Sequence, residues 1–483
     1  MSISASATTA LPPTNNLYFI GIGGIGMSAL ARWFLANGAR VAGYDKTPTP
    51  LTTQLEAEGM DIHYTDDPNR IPDYILADAD ALIVYTPAIP NDHAELSYLR
   101  REGFLIRKRA EVLGLITRQR FTVAIAGTHG KTSTSSMVAH LLRHSGKPVT
   151  AFLGGVMKNY QTNMLLAQGC APEEEIVVVE ADEYDRSFLH LSPSVAVILS
   201  TEADHLDIYG QTEEVSAAYQ AFAACVHPQG SLFHKQGTQL SLAALPDSLQ
   251  THCYAREQSE SSTHYAANIR VADGMFVFDY QSPTLQLTDI RLQTPGYHNV
   301  ENAVAALGIG QTLGLSPQEL RSGIESFLGV QRRFDYHYKS PDWILIDDYA
   351  HHPTEVAAFL TSLKALYPER SVTVIFQPHL FSRTRDFMQE FAQSLAIADR
   401  VWLLPIYPAR EQPIEGISAE ALASIIPSAA VKAHPNISAL FESLTQLDQP
   451  CIVATVGAGD IVNVIPKINT ILQQKTQTST LES

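Results

Sequence analysis

The sequence predicts an α/β protein of three domains, and three observations carry that reading. The chain has 483 residues, and roughly one domain per 150 residues gives about three. Short apolar runs that end in turn-rich stretches and lead into helical spacing recur along it, the β-α-β alternation of parallel sheets covered by helices. Hydrophobic residues make up 45% and charged ones 17%, an ordinary globular balance that excludes disorder or a collagen-like fibre as a description of the whole chain.

The elements follow in order. Leu17 to Ile20 is a short apolar strand running into Gly21-Ile22-Gly23-Gly24-Ile25-Gly26, and Ser28 to Asn37 then has the spacing of a helix. Arg40 to Tyr44 reads as a second strand ending at Asp45, and Ala81 to Tyr85 as a buried one followed by Thr86-Pro87-Ala88-Ile89-Pro90. A second domain opens with strand Phe121 to Ala126, a Gly-rich turn and a helix from about Thr132 to His144. Ile176 to Val179 and Val195 to Leu199 are continuous apolar runs of the kind central parallel strands show. From about Gly230 to Leu292, alternating runs such as Met275 to Tyr280 predict a small antiparallel appendage, and helical spacing returns at Val300 to Leu313. The third domain starts near Phe334, with strands expected at Trp343–Ile346, Val372–Phe376, Val401–Leu404 and Ile452–Thr455 and an amphipathic stretch at Val356–Leu366. The polar tail Gln473 to Ser483 is expected to fray. Junctions near 119 and 331 divide the chain into 1–119, 120–331 and 332–483.

Composition excludes several function classes. With 33 Lys and Arg against 50 Asp and Glu the net charge is −17, which argues against general nucleic-acid binding and against adhesion to anionic membranes. No window approaches the roughly 18 apolar residues of a membrane span, and the first residues lack the basic patch and apolar core of a secretory signal. Cys170, Cys225, Cys253 and Cys451 are far apart with no metal or redox spacing, as expected of reduced thiols in a cytoplasmic protein.

The sharpest motif is Gly127-Thr128-His129-Gly130-Lys131-Thr132-Ser133, which follows a predicted strand and opens a helix. Backbone N–H groups in such a loop cradle phosphate oxygens and the helix N-terminus adds a favourable dipole. Lys131 is placed to reach the β and γ phosphates, and the Thr132 hydroxyl to ligate Mg²⁺. Ile125 stands where a standard P-loop has its first glycine, so the loop is an abbreviated form. Glu180 closes the Ile176–Val179 strand, and His205 lies just past Val195–Leu199; ligands of open α/β sheets bind beyond the carboxyl ends of strands, so both should face the phosphates. A carboxylate suits Mg²⁺, which pairs Glu180 with Thr132. Imidazole does not, so spacing alone leaves His205 open between a metal ligand and a structural loop histidine.

Gly21-x-Gly23-x-x-Gly26, with Asp45 about 20 residues on, has the form of a dinucleotide fingerprint in which a pyrophosphate sits on the helix N-terminus and the acid meets a ribose hydroxyl. The motif does not say whose pyrophosphate, and a tight strand–helix turn without a ligand has the same form. In the third domain, Asp347-Asp348-Tyr349-Ala350-His351-His352-Pro353-Thr354-Glu355 and Gln377-Pro378-His379-Leu380-Phe381-Ser382-Arg383-Thr384-Arg385 each follow a strand, which puts their polar side chains at strand tips. The His351-His352 pair lacks further ligands at metal spacing and reads as solvent-facing or substrate-facing. Arg383, Arg385 and the Arg332-Arg333 pair either solvate a surface or bind carboxylate or phosphate bidentately.

Together these stretches resemble the Mur ligase family, the ATP-dependent amino-acid ligases of peptidoglycan synthesis. The resemblance spans about residues 17 to 465 and is carried, in the family's order, by Phe19–Ser28, the Gly127–Ser133 loop, Glu180–Glu183, Asp204-His205, Pro295–Asn302, Arg332–Asp335, Asp348–Pro353 and Gln377-Pro378-His379. It implies a Rossmann-like N-terminal domain that binds a UDP-sugar rather than NAD through Gly21, Gly23, Gly24, Ile25, Gly26, Asp45, Thr86 and Arg109. It implies a central P-loop ATPase-type parallel sheet and a Rossmann-like C-terminal domain that binds the amino acid. The shortened loop is the family's usual form. By similarity Asn299 and Asn302 lie in the adenine-binding stretch, Arg333 and Asp348 belong to the ATP site, and His205 holds a second Mg²⁺. Gln377–Arg385, with His379, Arg383 and Arg385, is expected near the sugar nucleotide and amino acid. Some members carry Arg where this chain has Leu380, so that contact is not carried over.

The resemblance further implies an activity: joining L-alanine to the lactyl carboxylate of UDP-N-acetylmuramate through an acyl phosphate, with ATP and Mg²⁺ as cofactors, Lys131 and Arg333 neutralising charge and His352 the candidate base for the amine. Neither nucleic acid nor membrane insertion is expected, and a monomer and a homodimer stay equally open. Three competing readings remain at this level: a recycling ligase that attaches a whole peptide to the same sugar nucleotide, an NAD-dependent dehydrogenase resting on the Gly21 motif alone, and a non-catalytic nucleotide-binding regulator. Because ATP and a UDP-sugar are anionic, an acidic chain must gather its cations where they bind, which predicts a positive cleft built from Lys131, Arg109, Arg333, Arg383 and Arg385.

Overall fold

Leu17–Ile20 is buried on both faces, because Leu17 and Phe19 point into one apolar cluster and Tyr18 and Ile20 into another. That double burial makes Asn16–Ile20 the centre of a five-stranded sheet. The sheet runs Asp61–His63, Arg40–Tyr44, Asn16–Ile20, Leu82–Tyr85, Leu105–Lys108, parallel throughout. The structure, a computed structural model, describes residues 11, 14–90, 92–202, 209, 212–409, 411–428 and 430–482.

The chain is a mixed α/β protein with three sheets and divides into two compact units. One contains residues 1–266, 280–287 and 302–324, the other 267–279, 288–301 and 325–483. In the first unit the N-terminal sheet is followed by a second whose middle strands are Val195–Ile198, Phe121–Ala126 and Ile176–Glu180, parallel neighbours in that order. Val149–Met157 extends it in parallel and Thr162–Leu165 closes that edge antiparallel. Helix Lys131–His144 packs its buried Met137, Val138, Leu141 and Leu142 on this sheet.

The antiparallel appendage is present but shorter than expected. Ser231–Lys235 and Gln250–Ala255 add two parallel strands to the sheet, and His264–Ala272 begins as a third. The change of direction comes at Asp273-Gly274, two residues between neighbouring strands, a link that only an antiparallel pair can use. Both residues have positive φ, 52° and 71°, the hairpin turn for which Asp-Gly is the preferred pair.

In the second unit, Ile344–Asp348, Ile452–Val456, Val372–Phe376, Arg400–Leu403 and Val431–Ala433 pair in parallel in that order, and Asp335–Lys339 lines the edge antiparallel. Leu345, Ile375 and Val453 meet Ile461, Ile468 and Leu472 in its core. Helix Ile465–Glu482 carries on through most of the polar tail. Three tertiary contacts hold it: Lys475 donates to the Thr445 carbonyl at 2.7 Å and lies over the Trp343 ring, and Tyr338 donates to Thr476.

Candidate active site

The phosphate loop is folded by its glycines. Gly127 has φ 133° and a Cβ there would stand 2.8 Å from Leu199 Cβ and Ser200 N; Gly130 has φ 83° and a Cβ there would stand 2.7 Å from Asn302 Oδ1. No other residue fits either position without moving backbone or the amide of Asn302. Thr128 Oγ1 donates to the Glu202 carbonyl at 2.8 Å and Ser200 Oγ accepts the His129 N–H at 3.0 Å, so the loop is pinned to the end of the neighbouring strand. Lys131 and Thr132 then open the helix Lys131–His144.

Thr132 Oγ1 donates to Glu180 Oε1 at 3.1 Å, and Glu180 Oε2 accepts the Gly154 N–H at 2.9 Å. The expected metal pair is therefore adjacent, two oxygen donors of the kind Mg²⁺ prefers. Lys131 Nζ donates to the carbonyls of Gly127 (2.8 Å) and Thr128 (3.3 Å) and is paired with Glu183 at 2.8 Å. Burial alone would lower the Lys131 pKa, but Glu183, Asp182 and Glu180 outweigh it and push it up to about 12. His205 lies outside the described residues.

At the first glycine turn, Gly21 (φ 87°) packs so closely that a Cβ would stand 2.9 Å from Thr86 Cγ2. The N–H groups of Gly21 and Ile22 both reach the Tyr44 carbonyl. Asp45 braces the turn, accepting the Gly23 N–H at 2.7 Å through Oδ2 and the Thr47 N–H at 3.3 Å through Oδ1. Helix Ile25–Ala36 begins without a side-chain cap, which leaves its first-turn N–H groups for an anion. Arg109 lies against Gly26, 3.0 Å from where a Cβ would be, and 3.6 Å from Asp182.

These pieces open on one space. A cleft of about 340 Å³ is lined on one side by Gly24–Met27, Thr86 and Arg109 and on the other by Phe152–Gly154, Glu180 and Asp182. The glycine turn and the acidic strand end thus face a common cavity within the first unit.

The second unit holds its own polar cluster. Arg332 (φ 62°) is a brace, pairing with Asp347 at 3.2 Å and donating to the Gly457 carbonyl at 2.7 Å, and the Arg332 and Arg333 guanidinium groups both lie over the Tyr349 ring, at 4.9 and 5.1 Å. Asp348 accepts the N–H groups of Phe334 and Ala350 at 2.8 and 2.9 Å. Burial pushes its carboxyl up to about 6 against the pull of Arg333 and those two bonds. Buried Asn299 donates to the Pro295 carbonyl, whereas Asn302 stands against Gly130 in the first unit.

His352 caps helix Pro353–Leu366, its Nδ1 accepting the Thr354 N–H at 3.4 Å, and its ring packs edge-on against Phe387. Its neighbour His351 has Nδ1 3.0 Å from the Tyr349 carbonyl and 3.4 Å from Glu355 Oε2. Those acceptors assign the proton to Nδ1 and leave Nε2 as a base. Burial lowers the His351 pKa to about 4, so the ring is neutral near pH 7. His379 stands beside it, ring centroids 6.1 Å apart, and stacks on Tyr407. Arg383 is buried on the short helix Phe381–Asp386, but Arg385 is exposed and paired with Asp386, so only the first of the two arginines joins the cluster.

Sequence reasoning left four contributors unassigned: Gly154, Asp182, Glu183 and His351. Gly154 had a readable signal, since glycine inside an apolar strand marks a close approach.

A shortened P-loop at the C-terminal end of a parallel strand, with a carboxylate at the next strand end, defines the class: an α/β protein built to hold a nucleotide phosphate. The chain belongs to the Mur ligase family. Its residues 16–121 match the family's catalytic domain, 125–310 the middle domain and 332–464 the glutamate ligase domain. The UDP-N-acetylmuramate–L-alanine ligase of Christiangramia forsetii is 45% identical over 460 residues, 95% of this chain and 97% of that protein. The enzyme of the same name from Phocaeicola vulgatus is 43% identical over 460 residues, 95% and 98% of the two chains. The crystal structure of UDP-N-acetylmuramate–alanine ligase from Thermotoga maritima superposes with a TM-score of 0.74 at 27% identity, covering 96% of this chain and 99% of that one.

Proposed function

We propose that the chain is an ATP-dependent ligase that joins L-alanine to the lactyl carboxylate of UDP-N-acetylmuramate in peptidoglycan synthesis. The observation that carries this reading is the shared cleft of the Gly24–Met27 turn, Arg109, Glu180 and Asp182. A sugar nucleotide seated on the first turn would extend its acid end toward the phosphate loop, a geometry a dehydrogenase has no use for. The full-length relatives that carry this activity in their names support the choice of substrates.

In this reading residues 1–119 take the UDP-sugar, 120–331 the ATP and 332–483 the amino acid. The lactyl carboxylate attacks the γ-phosphorus, the bond to ADP breaks, and an acyl phosphate forms. The alanine amine then attacks the acyl carbon, and the tetrahedral oxyanion collapses to the amide with loss of phosphate and one amine proton. An anion attacking a polyanion needs neutralising charge, which is the role assigned to Lys131 and Arg333, with Asn299, Asn302 and Asp348 binding the nucleotide. Mg²⁺ fits the Thr132–Glu180 pair, where it would screen the phosphate oxygens; His205 is the candidate for a second ion. For the amino acid, Arg383 and His379 are the candidate contacts. The geometry favours His351 over His352 as acceptor of the amine proton, because the His352 ring is committed to its helix cap and to Phe387. Among the described residues no helix is long and apolar enough to cross a membrane, and all four cysteines are free thiols; a cytoplasmic location is part of this reading.

The test is phosphate release from ATP with UDP-N-acetylmuramate and a panel of amino acids, with and without Mg²⁺. Release that needs the sugar nucleotide, L-alanine and the metal together is expected. Release driven by the tripeptide in place of L-alanine would make the chain a recycling ligase, and ATP binding without turnover under any combination would make it a regulator.

A further inference from the structure

Lys131 has an occupant. Its ammonium carries three donors, and the structure commits them to the Gly127 carbonyl at 2.8 Å, the Thr128 carbonyl at 3.3 Å and the Glu183 carboxylate at 2.9 and 2.8 Å. The pair is deeply buried, with side-chain exposures of 14% for Lys131 and 4% for Glu183. Glu183 is held from behind, since the Tyr209 hydroxyl donates to its main-chain carbonyl at 2.6 Å.

A phosphate arriving at Lys131 meets this carboxylate on the same ammonium. Two anions on one lysine, where water screens poorly, repel each other. Glu183 also leads directly into a segment under backbone strain: Asp185 and Arg186, neither of them glycine, both sit in the left-handed region at φ 53° and 55°, a conformation that neighbouring contacts must over-determine. Those contacts are the Lys108–Asp185 pair at 2.6 Å and the Arg186–Glu214 pair at 2.7 Å. The segment that carries Glu183 therefore has a reason to rearrange once its carboxylate lets go.

We infer that Glu183 is a built-in competitor for nucleotide phosphate: a positioning residue that holds the Lys131 ammonium inside the loop, yields it to the β and γ phosphates, and so sets the affinity for the phosphate chain. This rests on the nucleotide reading of the loop and adds to it a residue whose effect runs opposite to that of a ligand-binding group. Removing a phosphate-binding side chain weakens binding; removing a competitor strengthens it.

The experiment is calorimetric titration of the full-length wild type and Glu183→Gln with ADP, ATP and adenosine. The variant is expected to bind ADP and ATP more tightly, on the order of tenfold, with adenosine unchanged. Its KM for ATP is expected to fall while the KM for L-alanine stays put. Equal or weaker ADP binding by the variant overturns the inference and leaves the nucleotide reading standing. A wild type that binds neither ADP nor ATP overturns both. Should the variant fail to fold, hydrogen exchange on the wild type decides: ADP is expected to protect residues 127–133 and to speed exchange at 182–188, and unchanged or slower exchange at 182–188 overturns the proposal.

Discussion

The Thr132 hydroxyl donates to Glu180 Oε1 at 3.1 Å while the Gly154 N–H holds the other carboxylate oxygen at 2.9 Å. A Cβ on Gly154 would stand 2.3 Å from Glu180 Oε2, a distance no real contact tolerates. Gly154→Ala therefore pushes Glu180 off Thr132 without touching either residue. The expected outcome is a fall in phosphate release of about 10²-fold or more, matched by Glu180→Gln, with thermal unfolding near that of the wild type. A Gly154→Ala enzyme that keeps its full rate would remove Glu180 from the site.

Asn163 ties the first turn of helix Ile25–Ala36 to the edge of the second sheet. Its fully buried amide donates to the Ile25 carbonyl at 2.6 Å and to Ser28 Oγ at 3.1 Å, and its oxygen accepts from Arg32. Arg32 is also paired with Glu58 at 2.7 Å. Asn163→Ala takes the acceptor from one Arg32 guanidinium N–H and one of two donors from the Ile25 carbonyl, which keeps Ser28 Oγ at 2.9 Å, and is expected to cost about 1–2 kcal/mol. Urea denaturation measures this, and a loss under about 0.5 kcal/mol would show that water replaces the amide.

Much of this architecture was legible because it is local. Strands Arg40–Tyr44, Phe121–Ala126 and Val372–Phe376 fall where the apolar runs put them, and the Gly127–Ser133 loop announces itself by composition. What stayed hidden depends on contacts distant in sequence. Nothing near Gln250 distinguishes a strand added in parallel from one in an antiparallel hairpin; the pairing partner Ser231–Lys235 decides it. Glu183 was visible as part of an acidic run, but only folding sets it on Lys131. The Arg332-Arg333 and His351-His352 pairs look symmetrical as letters. In the structure Arg332 pairs with Asp347 while both guanidinium groups lie over the Tyr349 ring, and His352 caps a helix while the His351 Nδ1 is held by Tyr349 and Glu355.

That division makes the two histidines separable by mutation. His351→Ala removes the neutral ring whose Nδ1–H is fixed by Tyr349 and Glu355 and is expected to lower kcat about 10²-fold with little loss of stability. His352→Ala removes a helix cap and the contact with Phe387, so it is expected to cost about 1–2 kcal/mol of stability and less activity. Kinetics and thermal unfolding on the same two proteins test the assignment. Reversed phenotypes would return the base to His352.

Glu95 predicts how stability changes with pH. Its side chain is fully buried and accepts from the Tyr18 hydroxyl at 2.6 Å and the Asp67 N–H at 3.0 Å, while Tyr18 is 2.7 Å from His63 Nε2. Burial pushes the Glu95 pKa up from 4.5 to about 7, against the pull of those two hydrogen bonds. Between these values the folded protein keeps a proton that the unfolded chain has released, so this group's contribution is complete below about pH 4.5 and is lost as pH rises through about 7. Burial lowers the His63 pKa, which works in the opposite direction as pH falls below about 6.5, so the wild-type curve alone mixes the two. Glu95→Gln keeps the shape and the histidine but cannot titrate. Its melting temperature relative to the wild type is expected to be lowest at about pH 4.5 and below and to recover steadily toward about pH 8. A difference that stays flat across that range would mean the Glu95 carboxyl ionises without cost in its buried setting.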